Sequence, residues 1–134
     1  MNIMKRTQDW QIKFEAFIAS RRTTPFAWGT NDCAIFAADC ILAMTDVDCA
    51  AKLRKHRTEL QAARVLKRHG GLIAVATAAM GAPVPSAFAQ VGDMVLAHSG
   101  GRELLAVCNG TSALAPSARG LVSVEMGNLC WRVD

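Results

Sequence analysis

Along the first 80 residues the apolar positions recur at helical spacing, and after residue 90 they gather into short runs broken by glycine, serine, proline and asparagine. Trp10, Phe14, Phe17 and Ile18 define one stripe, which predicts an amphipathic helix over Thr7–Arg22 with Thr7 as its cap and the stripe packed on the core. Thr23–Asn31, punctuated by Pro25 and Gly29, reads as a loop. Asp32–Met44 is apolar almost all round, the pattern of a central, buried helix, and only Asp39 interrupts it. A buried aspartate needs partners, and the sequence does not name them.

A polar link over Thr45–Asp48 precedes a short helix over Ala50–Lys55. Thr58-Glu59-Leu60-Gln61 has the form of a capping box, and the helix it opens should end at His69-Gly70-Gly71. Leu72–Met80 predicts a further short helix closed by Gly81, after which Pro83 and Pro85 forbid continuation. From Val91 onward the runs Met94–His98, Leu104–Asn109, Ala113–Ala115, Leu121–Glu125 and Leu129–Val133 predict short antiparallel strands, with a turn at Ser99-Gly100-Gly101 and a hairpin at Asn109-Gly110. Helices followed by strands give an α+β domain in which the helices, the Cys33 helix among them, lie on one face of a small sheet. The 134 residues fit one domain, divided into an N-terminal helix (1–22), a motif loop with helices (23–90) and a sheet (91–134).

The composition narrows the function. Hydrophobic residues make up 51% of the chain, enough for a packed core. No apolar run is long enough to span a bilayer. The polar start Met1–Asp9 lacks the apolar core of a secretory signal, so synthesis in the cytoplasm without signal-directed export is expected. A net charge of +4, with no aromatic residues interleaved among the basic ones, does not point to nucleic acid. His56 and His69 sit among Arg54, Lys55, Arg57, Arg64, Lys67 and Arg68 and read as parts of a solvated basic face, a weak signal for an acidic partner. The five cysteines lack the tight pairs of a zinc site, so neither metal nor cofactor is expected. Cys40, Cys49, Cys108 and Cys130 read as buried thiols behaving as small hydrophobes.

Cys33 is different. It follows Trp28-Gly29-Thr30-Asn31-Asp32 and opens a helix, where the positive end of the helix dipole favours a thiolate. Asp32 suits a side-chain cap, Gly29 a positive φ, and Trp28 packing of the loop against the sheet. This segment, together with Gly92-Asp93-Met94-Val95-Leu96 and the hairpin after it, resembles the NlpC-type cell-wall cysteine peptidases of the papain-like superfamily. The resemblance covers most of the chain after residue 23. It implies a papain-like fold, a nucleophile at Cys33 acting on amides of peptidoglycan stem peptides, a histidine base on the strand after Gly-Asp, and a polar residue on the next strand to orient it. In this chain Leu104 stands where that histidine belongs, and the orienting position near Leu114 or Ala115 is also apolar. Leucine neither accepts nor holds a proton. His98, at the end of the Gly-Asp strand and before a tight turn, reads as a turn residue; under an enzymatic alternative it is the substitute base. The chain thus resembles the short, catalytically incomplete NlpC-like proteins of bacteriophage tail modules. That implies a structural role at the tail tip, other tail proteins as partners, and a place in the virion tail. The alternative is a peptidoglycan amidase or endopeptidase using Cys33 and His98.

Overall fold

The computed structural model describes residues 4–134. The first three residues of the polar start lie outside the described residues. Four helices precede a five-stranded antiparallel sheet, the α+β order that the change of apolar period at residue 90 predicts. The helices are α1 (Trp10–Arg21), α2 (Cys33–Thr45), α3 (Glu59–Arg68) and α4 (Leu72–Met80), with a 3₁₀ turn at Ala51–Leu53. The strands are β1 (Val84–Pro85), β2 (Met94–Ser99), β3 (Arg102–Cys108), β4 (Ala113–Ser117) and β5 (Gly120–Trp131), with a second 3₁₀ turn at Ser86–Phe88.

α1 begins three residues later than the stripe suggested. Thr7 does not cap it through its side chain: the hydroxyl bonds Asp9 Oδ1 (3.0 Å), and only the Thr7 carbonyl accepts from Trp10 N (3.1 Å). The stripe itself packs inward, with Phe14 and Ile18 buried and Trp10 and Phe17 against the core. α2 is the central helix, burying Phe36, Ala37, Cys40, Ile41 and Met44. Asp39 on this helix meets Arg21 Nη2 at 2.7 Å and Arg54 Nη2 at 2.8 Å, and Arg54 also holds Asp48. These ion pairs tie α1 and the turn before α3 to α2.

The Thr58 hydroxyl accepts from Gln61 N (3.1 Å), while the Gln61 side chain reaches Arg57 N (2.6 Å), one residue ahead of the usual capping-box target. At the other end of α3, Gly71 N donates to Leu66 O (2.8 Å) and Gly70 N to Lys67 O (3.3 Å), a Schellman ending that needs the positive φ of Gly70.

The last two expected strands are one. β5 runs through Met126-Gly127-Asn128 without a turn. Its first half pairs with β4 and its second half with β2, so β2, β3, β4 and β5 close on themselves while β1 adds to the outer edge of β5. A bulge accommodates the bend: Val95 faces Cys130, but Ala97 faces Met126. Glycine is required inside it, because a Cβ on Gly127 would lie 2.9 Å from both Leu96 O and the His98 ring. Closure gives the strands two buried faces. Met94, Leu96, Leu105, Val107 and Trp131 pack on α2, whereas Val95, Ala97, Ala106, Cys108, Ala113, Ala115 and Cys130 fill the other cluster. So few strands leave little room between them, which suits alanine and cysteine. Cys108 and Cys130 there, and Cys40 on the buried face of α2, are small core hydrophobes, and burial pushes their thiols up. Cys49, expected to be buried, is only partly so.

Asp93 of the Gly-Asp pair is 1% exposed. It accepts from Arg6 Nη2 (2.9 Å), Val133 N (2.9 Å) and Gln90 N (2.9 Å). Gly92, at φ +91, lies so close to Met44 that a Cβ would come 2.7 Å from its sulfur. The pair thus joins the start of the described chain to its end beneath α2.

Candidate functional site

The loop before α2 is held from both ends. Asn31, 3% exposed, accepts from Arg21 Nη1 (2.8 Å) and donates to the carbonyls of Thr24 and Pro25. Asp32 spreads its carboxylate over three donors. Oδ1 accepts from Ile35 N (3.0 Å), capping α2, and Oδ2 accepts from Gly29 N (2.9 Å) and contacts His56 Nε2 at 2.6 Å. Gly29, at φ +80, lets this happen, since a Cβ there would overlap the carbonyl oxygen of His56. Trp28 stands edge-on to Phe26, ring centroids 4.8 Å apart, and the two rings form one wall of a cavity whose lining includes Leu104 and Leu105 of β3.

That cavity, of about 650 Å³, lies between the start of α2, the α3–α4 pair and the β2–β3 hairpin. Cys33, Leu104, His56 and Asp32 all line it. Cys33 occupies the first position of α2, yet its thiol is not activated. Burial pushes it up to about 11, and the adjacent Asp32 carboxylate adds to the rise. The expectation of an easily ionised thiol is therefore corrected. Asp32 already occupies the helix N-terminus, so the positive end of the dipole is spent on a carboxylate beside the sulfur.

The histidines fall differently from their sequence reading. His56 does not lie on a solvated helix face. It sits in the loop before α3 with its side chain 9% exposed, and its Nδ1 lies 3.1 Å from Leu53 O. Both ring nitrogens therefore face oxygen, and neither is left for the Cys33 sulfur. His98 stays exposed on β2, opposite Glu103 and Glu125, with Nε2 3.9 Å from Glu103 Oε2. It is not among the side chains lining the cavity, so His98 brings no imidazole to Cys33. His69 is the exposed cap at the end of α3. Leu104, on β3, lines the cavity with Cys33, and both pack against the same apolar cluster. Among the described residues no group of three or more His, Cys, Asp or Glu side chains is placed to hold a metal ion. Nor is any described helix long and apolar enough to cross a membrane.

His56 is the residue that sequence reasoning missed. It is separated from Asp32 by 24 positions and embedded in basic residues. The only hint was the Thr58 cap, which places His56 in a loop free to turn inward.

What the geometry defines is an α+β domain with a half-buried, unactivated thiol at the head of its central helix. The sequence model of the family described as Domain of unknown function (DUF6950) matches residues 5–133, and the chain belongs to that family. No curated protein matches it, and no solved structure matches it.

Proposed function

We propose that this chain is a structural subunit of a bacteriophage tail, at or near the tail tip, built on an NlpC-type papain-like scaffold that has lost its hydrolytic activity. The observation that carries the reading is the cavity wall beside Cys33. Where the resemblance asks for an imidazole there is Leu104, and the thiol is pushed up to about 11. The one imidazole on that wall, His56, has both nitrogens engaged. A thiol with no base neither forms its thiolate at neutral pH nor delivers a proton to a leaving amine. The tail assignment itself rests on the resemblance of the Trp28–Cys33 and Gly92–Leu96 segments to short tail-module proteins, and the high apolar fraction suits a subunit that buries surface against neighbours. Its partners are then other tail proteins.

The test is genetic. Deleting the gene from a phage that encodes it should block assembly of infectious tails, and supplying Cys33→Ala in trans should restore them as well as the native gene does. Tails restored by the native gene and not by Cys33→Ala would return Cys33 to a chemical role. The peptidase alternative makes its own demand: purified protein should cleave peptidoglycan peptides, and Cys33 alkylation should titrate well below pH 8.5 and shift upward in His98→Ala.

A further inference from the structure

We propose that the cavity beside Cys33 is a binding site for a small, neutral, lipophilic molecule, inserted between α3 and the floor formed by α2, α4 and β3. The inference is independent of the assembly role, since it stands on the cavity alone. The floor consists of Ile35, Val75 and Leu105, all buried, so the open space reaches down to the core. Its volume of about 650 Å³ falls within the range of roughly 300–1,000 Å³ typical of small-molecule sites. No single protein side chain would fill it.

The polar groups inside it select against a polar guest. Both oxygens of Asp32 and both ring nitrogens of His56 are already engaged, and the Cys33 thiol is neutral. A hydroxyl or amide carried to this depth would give up water for few partners, the neutral Cys33 thiol and the second lone pair of Asp32 Oδ1, so a hydrocarbon or aromatic body is favoured. Polar side chains appear at the β2–β3 turn, where Ser99, Arg102 and Glu103 reach the cavity from exposed positions. Arg102 and Glu103 carry opposite charges, and Arg102 also lies 3.7 Å from Glu59 of α3. That balance favours an uncharged head group over a carboxylate or an amine.

The α3 side of the same cavity is equally unfilled. None of the α3 residues is buried, although Ala62, Val65 and Leu66 all turn to the cavity. An apolar helix face set against open space lacks dispersion partners, and a guest would provide them.

The experiment uses the full chain and the neutral fluorophore N-phenyl-1-naphthylamine. Saturable binding of one molecule per chain is expected, with displacement by 1-dodecanol at severalfold lower concentration than by sodium dodecanoate. Bound fluorophore should also slow alkylation of Cys33 by N-ethylmaleimide at pH 9, read by peptide mass spectrometry. Ala62→Trp, on the cavity face of α3, should abolish binding, whereas Leu60→Trp, on its exposed face, should not. If Ala62→Trp fails to fold, Cys33→Leu narrows the same space from the α2 side. Absence of saturable binding, or equal affinity in folded Ala62→Trp or Cys33→Leu, would overturn the assignment. So would tighter displacement by dodecanoate than by dodecanol. A dimer that separates as the fluorophore binds would place a second copy in the cavity and would overturn it as well.

Discussion

Nε2 of His56 lies 2.6 Å from Oδ2 of Asp32, and this contact joins the loop ahead of α3 to the N-terminus of α2. Asp32 is at once helix cap, loop clasp and imidazole partner, all while 3% exposed. Removing it should therefore cost more than a cap alone. Loss of a cap costs about 1 kcal/mol, and leaving the His56 ring without its partner adds about 1–3 kcal/mol. Asp32→Ala is expected to destabilise the chain by about 2–4 kcal/mol in urea unfolding. In a double-mutant cycle with His56→Gln, a coupling of about 1 kcal/mol or more is expected, and coupling near zero would mean that the contact is energetically idle.

The thiols make stability sensitive to alkali. Unfolded cysteines ionise near 9.0, whereas native Cys33 and Cys49 are pushed up to about 11 and Cys40 to about 12. Between these values the unfolded chain has released protons that the native chain keeps. The native state is then disfavoured as pH rises, and below about 9 the contribution is complete and flat. Urea midpoints should hold steady from pH 7 to 8.5 and fall from pH 9 to 11. Cys33→Ala should make that fall shallower; an unchanged slope would show that Cys33 ionises alike in both states.

Asp93 is the buried anchor between the two ends of the chain. With Arg6 9% and Asp93 1% exposed, Asp93→Ala strands a buried guanidinium together with the N–H groups of Gln90 and Val133. Breaking one side of such a pair costs about 3–5 kcal/mol. Arg6→Ala combined with Asp93→Ala should cost less than the sum of the two single changes, which equilibrium unfolding of all three variants would measure.

Gly29 and Gly71 separate crowding from backbone preference. Both have positive φ, +80 and +107, but a Cβ on Gly29 would overlap the His56 carbonyl whereas nothing lies within 4 Å of one on Gly71. Gly71, at ψ 176, lies in an extended positive-φ region kept almost wholly to glycine, so Gly71→Ala should carry only the backbone cost of about 1–3 kcal/mol. Gly29→Ala should exceed it and also loosen the Asp32–His56 contact, visible as a change in the His56 ring signals by NMR. Equal losses at the two sites would mean that the loop yields at little cost.

Periodicity carried a great deal of the fold. α2 and α4 lie where the apolar runs placed them, the Thr58 cap and the Gly70-Gly71 ending bound α3, and the hairpins fall at the glycine-rich turns. These features are local: a helix stripe, a cap or a positive φ is written within a few residues. The misses share the opposite property. Thr7 yielded its cap because Arg6 is drawn to Val133, Val91 and Asp93, which binds this stretch to the far end of the chain. The Gly127 break dissolved because a bulge opposite β2 lets one strand serve two neighbours.

From the sequence alone one could read that helices precede strands, that Cys33 heads the central helix beside a capping Asp32, and that Leu104 stands where the resemblance asks for a base. Tertiary structure alone decided what those residues experience. It brought His56 across 24 positions onto Asp32, supplied Arg21 and Arg54 to Asp39, closed the sheet, and raised the Cys33 thiol by burial. The reason is physical: capping and helix formation depend on neighbours along the chain, whereas desolvation and ion pairing depend on neighbours in space.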